Sequence, residues 1–268
     1  MEYSNIILEK QNSVATLRLN RPDALNALSP ELLEEFLAAT RQVAEDQEMK
    51  ALVIRGEGRA FCSGADLKFV LETLENDDPK GLQDYITTLA NDLHHKVVIG
   101  LRRLEKPVVA GINGVAAGAR FSLNLGCDIR VAARSARFLM AYANIGAPAD
   151  GGSTYLLPRL IGASRAMEMY LASQPTSAQA ALEMGLVNHV VEDDALHQHA
   201  METAVRLAKG PTAAYARVKA LFDSSWEHDL ATQLDLETAA FADIALTDDF
   251  QEGIKAFTER RQARFQGK

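Results

Sequence analysis

The sequence predicts an α/β fold, on three observations. Short apolar strands, Ala51-Leu52-Val53-Ile54-Arg55 and Pro107-Val108-Val109-Ala110-Gly111-Ile112, each run into a turn that carries glycine. Each turn is followed by the start of a helix, near Asp66-Leu67 and near Ala119. Strand, turn and helix alternate in this way up to about Leu160, and helix dominates beyond it.

Taken in order, Ile6 to Leu8 and Val14 to Asn20 read as a hairpin around Lys10-Gln11-Asn12-Ser13. Its second strand alternates Ala15, Leu17 and Leu19 with polar residues, the pattern of a half-buried strand. Ser29-Pro30-Glu31 opens a helix, with Ser as N-cap, Pro at the first helical position and an acid in the first turn. Residues 68–104 read as helix broken at Asn76-Asp77-Asp78-Pro79. Leu89, Leu93, Val97 and Leu101 then continue one apolar face. Ile129 to Ala133 is a short strand, and Ser177 to Met184 a helix stopped by Gly185. The remaining expected helices run from Asp193 to Lys209, Pro211 to Phe222, Trp226 to Leu246 and Thr247 to Phe265.

The 268 residues are 47% apolar and carry a formal charge of −8, which excludes a largely disordered chain and argues against nucleic acid as a partner. Two cysteines, Cys62 and Cys127, make no disulfide framework and read as reduced thiols. Met1-Glu2-Tyr3-Ser4-Asn5 lacks a basic-then-apolar leader pattern, and the small-residue run from Pro107 to Ala119 is too short and too glycine-rich to span a bilayer. A cytoplasmic protein without a membrane partner is therefore expected.

The two junctions carry the chemistry. Small residues let a ligand approach the backbone, and a helix start leaves N–H groups unpaired with partial positive charge. Two such turns aimed at one point would hold a developing oxyanion. Their wording, Phe61-Cys62-Ser63-Gly64-Ala65-Asp66-Leu67 and Ile112-Asn113-Gly114-Val115-Ala116-Ala117-Gly118-Ala119, closely resembles the enoyl-CoA hydratase/isomerase (crotonase) superfamily. So do Cys127-Asp128-Ile129, the stretch from Arg18 to Leu28, and Glu252 to Arg261. The resemblance implies a crotonase-like spiral of ββα units followed by a C-terminal helical trimerisation region. The expected division is 1–195 for the core with its acyl-CoA site and 196–268 for the oligomerisation region.

The resemblance further implies an acyl-CoA thioester as substrate, no cofactor beyond the CoA it carries, and a homotrimer or a dimer of trimers. The thioester oxygen would be held by the backbone N–H groups of Ala65 and Ala119. At the positions of the two hydratase glutamates this chain has Ser122 and Tyr142, and neither can activate water as a carboxylate does. Asp150, in Pro148-Ala149-Asp150-Gly151-Gly152, stands where several isomerases and a dehalogenase of the superfamily carry an aspartate. By itself this wording is ordinary turn chemistry. The phrase looks most like isomerases acting on 2-(1,2-epoxyphenyl)acetyl-CoA and on 3-enoyl-CoA esters, with Asp150 moving a proton between two carbons. The reaction would favour an apolar pocket around that carboxyl with no cation near it. A hydratase or hydrolase using Asp150 to activate water, and a catalytically silent acyl-CoA-binding subunit, are the alternatives.

For the CoA moiety the resemblance implies Ala24, Leu25, Ala60, Asp66, Leu67 and Lys68, with Lys255 and Phe257 reaching the nucleotide from the C-terminal helix of this or a neighbouring subunit. Asp66 also reads as a helix N-cap, and Lys68 equally as a solvated lysine. Arg120 opposes the dipole of the helix it opens, so it is expected to face solvent, with an inward position as the alternative. No dinucleotide fingerprint, Walker A loop or Gly-x-Ser-x-Gly elbow occurs. The adjacent His94 and His95 cannot form an i, i+4 metal pair and are expected to face solvent; no metal is expected.

Overall fold

A computed structural model describes residues 3–62, 64, 66–76 and 78–268, apart from the side chains of Leu67, Lys68, Phe69 and Arg120. The expected hairpin forms as β1 (Ile6–Gln11) and β2 (Val14–Leu19), paired antiparallel. β2 then leads a parallel series through β3 (Ala51–Gly56), β5 (Val108–Ile112), β7 (Ile129–Ala133) and β10 (His189–Val191), giving a sheet of six described strands. Its inner strands β3 and β5 are near-continuous apolar runs; β5 is buried at every position, as a parallel strand covered on both faces must be.

A second, smaller sheet was not legible in the sequence. It orders β4 (Ala60–Cys62), β6 (Val115–Ala117), β8 (Arg137–Leu139) and β9 (Thr176–Ser177). These strands hold two or three residues each, too few to show a period of two. β4 follows β3 and β6 follows β5 after tight turns, so each junction passes from the large sheet to the small one before its helix begins. This is the ββα unit expected from the resemblance.

The helices cover the sheets. α1 (Pro30–Glu45) starts as the sequence predicts: Ser29 Oγ accepts the Leu32 N–H, and Leu32, Leu33, Phe36 and Val43 are buried. α2 (Leu67–Glu75), α3 (Pro79–Asn91) and α4 (Ile99–Arg103) follow, with Asp78 capping α3 through the Gly81 N–H. A π turn, Asp92–Val98, links α3 to α4. α5 (Ala119–Leu125) starts the second junction's helix, and α6 (Ser153–Ile161), α7 (Ala163–Ala172) and α8 (Ala178–Glu183) complete that half. α9 (Leu196–Ala208) buries Leu196, Ala200 and Ala204 and packs on β3, β5 and β7.

α10 (Thr212–Ser224), α11 (Leu230–Ala245) and α12 (Asp248–Thr258) end the chain. The last helix stops seven residues short of the expected Phe265 (265 − 258 = 7). Arg260 takes a left-handed conformation, φ +53°, and turns the chain back. The returning tail then places the Gln266 and Gly267 N–H groups on the buried Asp249 carboxylate, at 2.6 and 2.7 Å. Both cysteines are buried. None of the described helices is long and apolar enough to cross a membrane.

Candidate active site

The first junction is held by Asn26, whose backbone is left-handed (φ +57°) and whose side chain is fully buried. Its Nδ2 donates to Glu57 O and Ala60 O at 2.9 and 2.8 Å, while Oδ1 accepts the Arg21 N–H at 2.9 Å. Arg21 extends the brace, bonding Ala27 O and pairing with Asp66 at 3.1 Å. Leu28 then receives the next strand-like segment on both sides: its N–H donates to Gly64 O at 3.1 Å, and its carbonyl accepts the Asp66 N–H at 3.0 Å. Ala65 itself lies outside the described residues, but both of its neighbours are fixed by Leu28.

The second junction packs against the first. Asn113 accepts the Gly56 N–H and donates to Gly58 O, so one side chain spans the turns after β3 and β5. A Cβ on Gly114 would sit 2.1 Å from Arg59 O, which only glycine avoids. Gly118 has φ +59°, donates its N–H to Leu139 O at 3.1 Å, and is followed by Ala119 as the first residue of α5. A Cβ on Gly118 would lie 4.0 Å from Gly64 Cα, so the two turns meet at van der Waals distance. Among the described residues, no protein acceptor takes the Ala119 N–H, as expected of a helix start.

Asp150 sits beside that helix start. The Asp150-Gly151-Gly152 turn lies over the first turn of α5, and both glycines have positive φ, +61° and +77°. A Cβ on Gly151 would meet Ser122 Cβ at 2.5 Å. Ser122 Oγ and Ser153 Oγ donate to Asp150 O at 2.9 and 2.8 Å, and the Ser153 N–H does so at 3.0 Å. The Tyr142 hydroxyl donates to Asp150 Oδ1 at 2.6 Å and lies 3.3 Å from Ser122 Oγ. Burial first, and then the Asp150 carboxylate, push the Tyr142 phenol well above the ordinary tyrosine range, so it stays a donor.

Two expectations need correction. Asp150 does not sit in a purely apolar pocket: its side chain is 34% exposed, and one oxygen is bound by Tyr142. Nor does His94 face solvent with His95. Its Nε2 accepts the Gly151 N–H at 2.9 Å and lies 3.7 Å from Asp150 Oδ2, while His95 alone is exposed. His94 precedes the buried Val97 and Val98 by three and four residues, the spacing that shares a helix face. That spacing was a readable signal.

The expected CoA-binding residues fall into two groups. Ala24, Leu25, Ala60 and Asp66 gather at the first junction, with Ala60 buried and the others half-buried. Leu25 adopts φ +48° at the end of a short 3-10 turn, Pro22–Ala24. Leu67 and Lys68 begin α2, and their side chains lie outside the described residues, as does that of Arg120. Lys255 and Phe257 stand apart on α12, both exposed, with no described hydrogen bond or ion pair to the first junction. Arg21, absent from the expected set, joins the first group through Asp66.

Comparison with known proteins agrees with this architecture. The family profile described as enoyl-CoA hydratase/isomerase matches residues 9–268. The chain is 38% identical to a 1,2-epoxyphenylacetyl-CoA isomerase of Escherichia coli K12 over 268 residues, covering all of both chains. It is 35% identical to a short-chain-enoyl-CoA hydratase of Clostridium acetobutylicum, covering 98% of this chain and 97% of that one. An enoyl-CoA hydratase structure from Bacillus anthracis superposes with a TM-score of 0.90 at 32% identity, covering 99% of this chain and all of that one. By its sequence from residue 9 to its end and by its fold, the chain belongs to the enoyl-CoA hydratase/isomerase family.

Proposed function

We propose that this chain is an acyl-CoA isomerase in which Asp150 is the acid/base group that meets the substrate. One observation carries the reading: Ser122 and Tyr142, the residues at the hydratase glutamate positions, both hydrogen-bond to Asp150. Neither offers a carboxylate of its own; Ser122 holds the Asp150 main-chain carbonyl and Tyr142 its carboxylate. The name of the E. coli relative, an epoxyphenylacetyl-CoA isomerase, supports the same direction.

The thioester carbonyl binds between the two junctions, its oxygen on the N–H groups of Ala65 and Ala119. Asp150 Oδ2, the oxygen left free by Tyr142, removes a proton from the acyl chain. The resulting enolate charge rests on the two N–H groups, and the proton returns at another carbon, shifting the double bond. No cofactor beyond the substrate's CoA is required. CoA is held by Ala24, Leu25, Ala60, Asp66, Leu67 and Lys68. The exposed Trp226, Leu230, Phe241, Leu246 and Phe257 support a homotrimer or a pair of trimers built through the C-terminal helices, with Lys255 and Phe257 reaching a CoA nucleotide. Light scattering on the purified protein measures that assembly.

Incubation with 3-hexenoyl-CoA, crotonyl-CoA and the epoxide of phenylacetyl-CoA, followed by chromatography and mass spectrometry, tests the reaction. Rearrangement without a change of mass is expected. A gain of water identifies a hydratase, release of free CoA a hydrolase, and binding without turnover a silent subunit; each of these three overturns the proposal.

A further inference from the structure

The geometry points to His94 as a second proton carrier, passing the proton taken by Asp150 to solvent and returning another. This rests on the isomerase reading above and concerns the route of the proton within it. Four features place His94 in that role. First, Tyr142 occupies Oδ1 at 2.6 Å, so a proton removed from substrate rides on Oδ2, the oxygen 3.7 Å from His94 Nε2. Second, Nε2 carries a lone pair, because it accepts the Gly151 N–H at 2.9 Å. Third, the His94 side chain, like that of Asp150, is 34% exposed and so reaches water, whereas Ser122 is fully buried. Fourth, Tyr142 cannot relay the proton outward, since its phenol is held in the protonated form and is itself buried.

The backbone presents His94 for this contact. The Ile99 N–H donates to His94 O, an i→i+5 bond that defines the π turn. Such turns often interrupt helices at functional positions. Val98, one α-turn along, packs toward Gly152, where a Cβ would sit 3.5 Å from Val98 Cγ1. His94 and Val98 therefore both rest on the Gly151-Gly152 turn, one through a hydrogen bond and one through packing.

Asp150 Oδ2 forms an O–H bond with the substrate proton, and the C–H electron pair becomes the enolate. The O–H bond then breaks as Nε2 takes the proton, restoring the carboxylate and forming an imidazolium. Nε2 gives up the Gly151 N–H as it takes the proton. The imidazolium exchanges with water and returns a proton to Oδ2, which delivers it to carbon.

The test is run in deuterium oxide with 3-hexenoyl-CoA, on the wild type and on His94→Gln, whose amide oxygen can still accept the Gly151 N–H. Deuterium is read by mass spectrometry in both the product and the recovered substrate. The wild type is expected to incorporate solvent deuterium, and the variant to turn over with incorporation per turnover reduced about tenfold or more. Full retention of the original proton by the wild type would overturn the role. So would undiminished incorporation by His94→Gln, or loss of turnover in that variant with CoA affinity retained, which would make His94 a positioning residue only. Exchange into recovered substrate reports the proton's route even if no double bond moves, so a failure of the isomerase reading is distinguished from a failure of the His94 role. His94→Asn provides a second variant should His94→Gln fold poorly.

Discussion

The Tyr142 hydroxyl donates a 2.6 Å hydrogen bond to Asp150 Oδ1. This bond turns a carboxylate on a half-buried turn into an oriented group with one free oxygen. It also sets the roles of the residues around it, because Ser122 and Ser153 hold the Asp150 carbonyl and leave the carboxylate to Tyr142 and His94.

Replacing Asp150 with Asn removes the acid/base group while keeping its size. Turnover of 3-hexenoyl-CoA is expected to fall by about a hundredfold or more, with the circular dichroism spectrum and CoA affinity unchanged. Near-normal turnover would take Asp150 out of the reaction.

Tyr142→Phe deletes a bond to a charged partner, worth about 1.5–3 kcal/mol. Denaturant unfolding should register a loss in that range at neutral pH. The native phenol titrates higher than the unfolded one, so its contribution is full below the unfolded value of about 10 and is lost as pH rises through the native value. The stability gap between wild type and variant should hold constant from pH 6 to about 9 and narrow above about 10.

Gly151 and Gly152 differ in what an added methyl group would meet, so they separate strain from crowding. Both have positive φ, which costs an L-residue about 1–2 kcal/mol. Gly151→Ala also drives a Cβ to 2.5 Å from Ser122 Cβ, whereas at Gly152 the nearest atom is 3.5 Å away. Thermal melts should show Gly151→Ala to be the less stable. Its turnover should fall well below that of Gly152→Ala, because the shift separates Asp150 from Ser122.

At the other end of the chain, Glu252 anchors the tail. Its carboxylate takes both Arg261 Nη1 and Nη2, at 2.6 and 2.9 Å, and the Arg264 N–H at 2.9 Å. The Arg261 side-chain bond, and then the Arg264 N–H, hold its pKa down at about 2. A depressed carboxylate contributes fully above its unfolded value of about 4.3, and the contribution is lost as pH falls toward about 2. The exchange rate of residues 259–268, taken relative to the intrinsic rate at each pH, should therefore stay low at pH 5 and rise on acidification below about 4. Glu252→Gln should raise it several-fold at neutral pH; no change would assign the docking to Asp249 alone.

Local pattern was enough for the elements whose causes are local. Ser29-Pro30 caps α1 where expected, Asp78-Pro79 restarts the interrupted helix as α3, and Ile129 to Ala133 forms β7 with the predicted ends. The small sheet escaped because its strands are too short for a repeating pattern. The tail escaped because Arg260 reverses it to satisfy a buried aspartate, a cause eleven residues away (260 − 249 = 11).

Local residue pattern dictates the α/β class, the two glycine-bearing junctions and the placement of Asp150 in a turn. Chain stiffness, capping and apolar periodicity act over a few residues, and those features depend on little else. The tertiary structure decided what surrounds the carboxylate. Tyr142 lies 8 residues from Asp150, Ser122 lies 28 away, and His94 reaches Gly151 across 57. Contacts at such separations are set by how sheets and helices pack, and a π turn of seven residues is what aims His94 at that point.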